Sequence, residues 1–101
     1  MKTIQYDPIG IAFADFNIEN KANEFLNSTE TKIVVSTFNF INAVRAIVAE
    51  DRFDYRNVVF FYKEEEIYLN KYARFDKSLP GFYSPDIDLL HRILSSSINK
   101  K

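Results

Sequence analysis

Three places in the chain carry residue types that could do chemistry. At Ser36-Thr37, two hydroxyls stand between an apolar run and a helical pattern. Helix N-termini bind anions, because unpaired N–H groups and the positive end of the dipole point outward there. With Asn39 just inside the helix and Arg45 further along it, this turn is a candidate phosphate or carboxylate site. The competing reading is ordinary capping by the hydroxyls, and no Gly-rich turn lets a phosphate approach the backbone. The second place is Asp15, which closes the apolar stretch Ile9–Ala14. Acidic residues at the C-terminal ends of parallel strands hold Mg²⁺ or activate water, since the open crevice of an α/β sheet lies there. A lone carboxylate serves equally well, with Asn17, as a cap for the helix that follows. The third is His91, the only histidine, in a helical pattern between Leu90 and Arg92. No second His and no Cys can complete a triad or a zinc site with it. The sequence therefore offers no catalytic constellation, no metal set and no cofactor motif.

The elements that must position these groups follow from periodicity. Ile33, Val34 and Val35 form a β-branched run suited to a strand, and its lack of alternation predicts cover on both faces, as in a parallel sheet. Past the Ser36-Thr37 switch, Phe40, Ile41, Val44, Ile47 and Val48 recur at helical spacing. Asn39, Asn42 and Arg45 fall on the other side of that helix. Upstream, Lys2–Tyr6 alternates weakly and predicts a short edge strand. Asp7-Pro8 then predicts a break, and Ile9–Phe16 a second buried strand. Ile18, Ala22, Phe25 and Leu26 make one helical stripe.

Downstream, Val58–Tyr62 is the most strand-like run, and Ile67–Arg74 pairs with it in a hairpin. The turn between them, from Lys63 to Glu66, has no Gly or Asn to favour a tight primed geometry. Ser84-Pro85-Asp86 predicts the start of a last helix, with Ile87, Leu90, Leu94 and Ile98 as its stripe and Leu89 and Ile93 beside them. The expectation is one small α/β domain spanning residues 1–101. Its parallel core strands are Ile9–Ala14, Lys32–Ser36 and Val58–Tyr62, joined by a hairpin and covered by about three helices.

Composition limits the function classes. The 101 residues are 47% hydrophobic and 16% aromatic, which predicts a packed globule. Thirteen basic side chains face fourteen acidic ones and are scattered, so no nucleic-acid footprint is read. No apolar run approaches a membrane span, and the N-terminus has no apolar leader core, so a cytoplasmic, membrane-free chain is the expectation. Ten Phe and six Tyr are many for so small an interior. Phe53, Tyr55, Tyr68, Tyr72, Phe75, Phe82 and Tyr83 are candidates for an aromatic surface, and Glu64, Glu65 and Glu66 read as a solvated hairpin tip or, alternatively, as an acidic knob for a basic partner. Aromatics next to Arg suit a protein interface or a homodimer. The alternative is that the helices cover them.

Lys32 to Glu50 resembles the switch region of ABC-type ATPases of the SMC and OLD-nuclease kind. In that family a hydrophobic strand ends in Thr-His-Ser and leads into a helix rich in Asn-Ala-Leu-Arg. Here Ser36-Thr37-Phe38-Asn39 precedes Ile41-Asn42-Ala43-Val44-Arg45. The likeness runs over roughly residues 9 to 98: Ile9–Asp15 stands for the Walker B strand, and Pro80-Gly81-Phe82 for a closing turn. Phe38 occupies the switch histidine position, Phe16 or Asn17 that of the catalytic glutamate, and the P-loop is missing. The resemblance thus implies the C-terminal half of such a domain without its chemistry. That would suit an inhibitor or decoy partner of a larger ATPase or defence-type complex, of phage or bacterial origin. A second likeness is to small viral α/β proteins that bind or cleave cyclic oligonucleotides, whose histidine near the helix start is lacking here.

Two functions are therefore expected: a non-catalytic protein-binding module, or a small-molecule or nucleotide binder using Ser36, Thr37, Asn39, Arg45 and Asp15. Mg²⁺-dependent hydrolysis at Asp15 comes after both.

Overall fold

The computed structural model describes residues 1–77 and 93–96. They form a small α/β fold whose four-stranded sheet has a parallel core and an antiparallel hairpin. In chain order the elements are β1 (Lys2–Ile11), α1 (Ile18–Asn27), β2 (Lys32–Val35), α2 (Phe38–Ala49), β3 (Val58–Tyr62) and β4 (Glu65–Tyr68). Short 3₁₀ turns at Asp15–Asn17 and Tyr55–Asn57 lead into α1 and β3. The sheet order is β2-β1-β3-β4.

The central strand is therefore β1, and this reverses two expectations. Lys2–Gln5 pairs in parallel with β3 on one side, and Thr3–Tyr6 with β2 on the other. It holds the place expected for Ile9–Ala14, and Lys2–Tyr6 is not an edge. Conversely β2 is an outer strand among the described residues: Ile33 and Val34 are half-buried, and only Val35 is fully buried. The reason lies in how the sheet is covered. The register sets Ile33, Ile4, Phe60 and Ile67 side by side in one row across all four strands. That row joins the apolar residues of both helices in one cluster, while Val59, on the opposite face, stays outside it. A strand covered by helices on one face needs apolar residues only at alternate positions. Ile4 and Tyr6, separated by polar Gln5, are sufficient.

The helical stripe of α1 is as its spacing predicts: Ile18, Ala22, Phe25 and Leu26 are its buried residues. The helix α2 departs from expectation. It is buried on all sides, and Asn42 (3% exposed) and Arg45 (6%) lie inside with the rest. Among the described residues its neighbours include the sheet row, α1, the Phe13 ring stacked on Phe40 at 5.0 Å, and the segment around Ala73 and Phe75. A long charged side chain stays inside only when its polar end is engaged. Here Arg45 Nε donates to the Ala73 carbonyl at 2.9 Å, and the guanidinium lies over the Phe75 ring, 4.4 Å from its centroid.

The hairpin β3-β4 forms as expected, with Phe60 opposite Ile67. Its turn is the two residues Lys63 and Glu64, at φ 48° and 68°. Positive φ at both central residues is the primed geometry that matches strand twist, adopted here without Gly or Asn. The strand expected over Ile67–Arg74 stops at Tyr68. Beyond it, the Asn70 side chain accepts from the backbone N–H groups of Tyr72 and Arg74 and bends the chain back. Leu69 then bridges Phe75. The alternation breaks in the bend, where Lys71 is exposed and Tyr72 half-buried, but holds on either side of it: Ile67, Leu69 and Ala73 are buried, whereas Tyr68, Asn70 and Arg74 are exposed. Residues 93–96 are helical, with Ile93 buried and Leu94 43% exposed. The expected helix start at Ser84-Pro85-Asp86 lies outside the described residues, as do Ile87, Leu89, Leu90 and Ile98. Among the described residues no helix is long and apolar enough to cross a membrane.

Candidate functional site

The segment that leaves the sheet between β1 and α1 organises the site. Tyr6 and Ile11 both pair with Val35, so residues 7–10 loop out of the strand register. Asp7 Oδ1 accepts from the Ile9 N–H, a local turn that Pro8 favours. Gly10 is required at the base of this loop. A Cβ built there would stand 2.7–2.8 Å from the backbone of Val34 and Val35, closer than real side chains come. From Gly10 the chain runs along the end of β2 and the start of α2. The Ile11 carbonyl accepts from Ser36 N–H, Phe13 N–H donates to Thr37 Oγ1 at 2.9 Å, and Asn39 Nδ2 donates to Asp15 Oδ1 at 3.4 Å.

Pro8 to Phe16 is thus an arm laid across the β2-α2 switch. Gly10 and Phe13 turn inward, while Pro8, Ile9, Ile11, Ala12, Ala14, Asp15 and Phe16 are exposed. Ile9 and Phe16 are each 90% exposed and Ile11 51%. This corrects the expectation of a buried strand over Ile9–Phe16. The sequence held the signal in Asp7-Pro8 and Gly10, since Pro and Gly within a strand mark a bulge, an edge or a close backbone approach. No reading of catalytic residue types would have found Ile9, Ile11 and Phe16.

The expected ligand residues divide in two. Asp15, Thr37 and Asn39 do come together around the arm. Thr37 is the N-cap of α2 by position, but its hydroxyl makes no capping bond and serves Phe13 instead. Asn17 likewise begins α1 without a side-chain cap. Arg45 is taken out of the set by its burial against Ala73 and Phe75. Beside Asp15 and Asn39 lies a hollow of about 300 Å³, also lined by Phe16, Asn17, Glu19 and Asn20. Two carboxylates and three carboxamides suit an uncharged polar or cationic ligand better than a phosphate.

The expected interface aromatics are mostly engaged with the fold. Phe53, Tyr55 and Phe75 pack against the core cluster. Tyr68 is 40% exposed and donates to the Glu66 carboxylate at 2.6 Å. That hydrogen bond, with some desolvation, holds its phenol above the ordinary pKa and keeps it neutral. Tyr72 is half-buried beneath Lys71. Glu64 and Glu65 are exposed at the hairpin end, and Phe82, Tyr83 and His91 lie outside the described residues.

A second hollow, of about 630 Å³, lies between Arg52, Phe53, Asp54, Tyr55, Arg56 and Lys71. Its arginines are already held. Arg52 meets Glu19 at 2.8 Å and Glu50 at 3.2 Å, and Arg56 grips Asp54 with two nitrogens. The bond from the Arg56 side chain lowers the Asp54 pKa, and the same contact raises that of Arg56. An anion would have to compete with these carboxylates. Among the described residues no group of three or more His, Cys, Asp or Glu side chains is placed to hold a metal ion.

In comparisons with known proteins, no family model, no curated protein and no solved structure matches the chain.

Proposed function

We propose that the chain is a non-catalytic protein-binding module that docks through the arm Pro8–Phe16. One observation carries this reading: Ile9 and Phe16, on one nine-residue arm, are each 90% exposed to water. Single exposed apolar residues are ordinary, but a run of them with one charge among nine positions is the composition of an interaction surface. The arm is also held in place by Gly10, Ile11, Phe13 and Asp15, so little ordering remains to be done on binding. The finer reading, an inhibitor or decoy partner of a larger ATPase or defence-type complex, is supported only by the resemblance of Lys32–Glu50 to an ATPase switch region. The test is capture from bacterial lysate with the wild type and with Phe16→Asp. A partner retained by the first and lost by the second is expected. No partner at all from a chain that is also monomeric at high concentration, or a partner indifferent to both Phe16→Asp and Ile9→Asp, sinks the proposal.

A second reading, a small-molecule binder, is favoured by the hollow beside Asp15 and Asn39. Its ligand would be a small neutral or cationic polar molecule more readily than a nucleotide. A thermal-shift screen separates the classes: at about 100 times its dissociation constant a true ligand adds about 2.7 kcal/mol of stability. Loss of that shift in Asn39→Ala would locate it.

A further inference from the structure

We infer that the arm Pro8–Phe16 is a self-association surface, occupied by the same arm of a second copy of this chain; the inference rests on the protein-binding reading and names the partner. Three observations favour a second copy. First, the arm can meet itself without penalty. A two-fold interface sets a patch against its own duplicate, so a charged patch would oppose like charges. The arm carries only Asp15, and the chain as a whole has a net charge of −1, so neither the patch nor the whole molecule repels its copy.

Second, the area is of the right order. Ile9, Ile11 and Phe16 expose 90%, 51% and 90% of their surfaces, together on the order of 500 Å² of mostly apolar area. Exposed Pro8, Ala12 and Ala14 extend this toward the roughly 800 Å² per partner of a stable interface. Third, among the described residues no strand lies beside the arm on its β3 side. The strand β1 continues to Ile11, but β3 partners it only as far as Gln5. Past Gln5 that side of β1 has no strand partner among the described residues. That side of the arm is therefore open to a second copy.

Sedimentation velocity of the full chain over micromolar to millimolar concentrations tests this, with Ile9→Asp and Phe16→Asp as variants. Both side chains are almost fully exposed, so both variants should fold, and an unchanged melting temperature verifies it. A reversible dimer is expected for the wild type. Its dissociation constant should rise about tenfold or more in each variant, because a charge at the centre of an apolar interface is left desolvated and unpaired. A wild type that is monomeric at millimolar concentration overturns self-association, while the broader binding reading still stands or falls by lysate capture. A wild-type dimer that persists unchanged in both variants overturns the assignment to the arm.

Discussion

The helix α2 and the arm Pro8–Phe16 are alike in composition and opposite in fate. Each is dominated by apolar residues and each carries one charged side chain, Arg45 in the helix and Asp15 in the arm. The helix buries nearly everything it has, including Arg45 and Asn42. The arm buries little beyond Phe13 and Gly10. Hydrophobicity is common to both, so it cannot be what separates them. The helix satisfies its own backbone, which lets other elements close around it on every side. The arm contains Pro8, which has no N–H, and a loop held by Asp7. It fastens at a few points along one side only. Burial here follows from how many neighbours a segment can gather, and that depends on its backbone before its side chains.

The sharpest way to break this contrast is to remove the same side chain from each region. Phe40 is fully buried between Phe13 and Phe25, and Phe16 is 90% exposed. Phe40→Ala should cost about 3–5 kcal/mol through lost burial and the cavity left behind. Phe16→Ala should stay within about 0.5 kcal/mol of the wild type. Urea denaturation of the two variants measures both. Comparable losses would mean that the arm is packed in solution and that the contrast is false.

How far this could be read in advance differs by element, for identifiable reasons. The α1 stripe, the β3-β4 hairpin and the strand Val58–Tyr62 were legible because each is local: a 3.6-residue spacing, a short turn, or an apolar run. The place of each strand in the sheet was not local. Lys2–Gln5 is central because β2 and β3 both choose it, and nothing within Lys-Thr-Ile-Gln announces that choice. Ile33-Val34-Val35 looked central because β-branched runs usually are, yet among the described residues it pairs on one side only. At the site, Asp15, Thr37 and Asn39 were legible as residues at element ends. The loss of Arg45 to the core was not, since its acceptor, the Ala73 carbonyl, is 28 positions away in sequence.

Arg45 gives the next largest effect and sharpens the contrast from the helix side. Arg45→Ala removes a hydrogen bond from a charged donor and the packing of the side-chain stem over Phe75. A loss of about 2–4 kcal/mol is expected. Arg45→Met keeps the volume without the fork and should recover part of it. If Arg45→Ala is nearly neutral by chemical denaturation, the all-round burial of α2 is incidental to its stability.

From the arm side, Gly10→Ala should cost about 1–3 kcal/mol, because the new methyl meets backbone atoms that cannot rotate away. The alternative outcome is informative too. An arm that detaches instead would leave global stability nearly intact and expose the Val34–Val35 amides to faster hydrogen exchange.

The smallest effect joins the two regions directly. Thr37 stands at the head of α2, and its hydroxyl accepts from Phe13 N–H in the arm rather than capping its own helix. Thr37→Val keeps the shape and removes the acceptor, leaving a part-buried N–H without its bond, at a cost of about 1 kcal/mol. Amide exchange shows where that loss falls. If the arm is a separately fastened element, Phe13 and its neighbours should exchange faster, while the amides in the middle of α2 keep their protection. Acceleration throughout α2 would mean that the helix depends on the arm for its start. The two regions would then be one cooperative unit that merely looks divided.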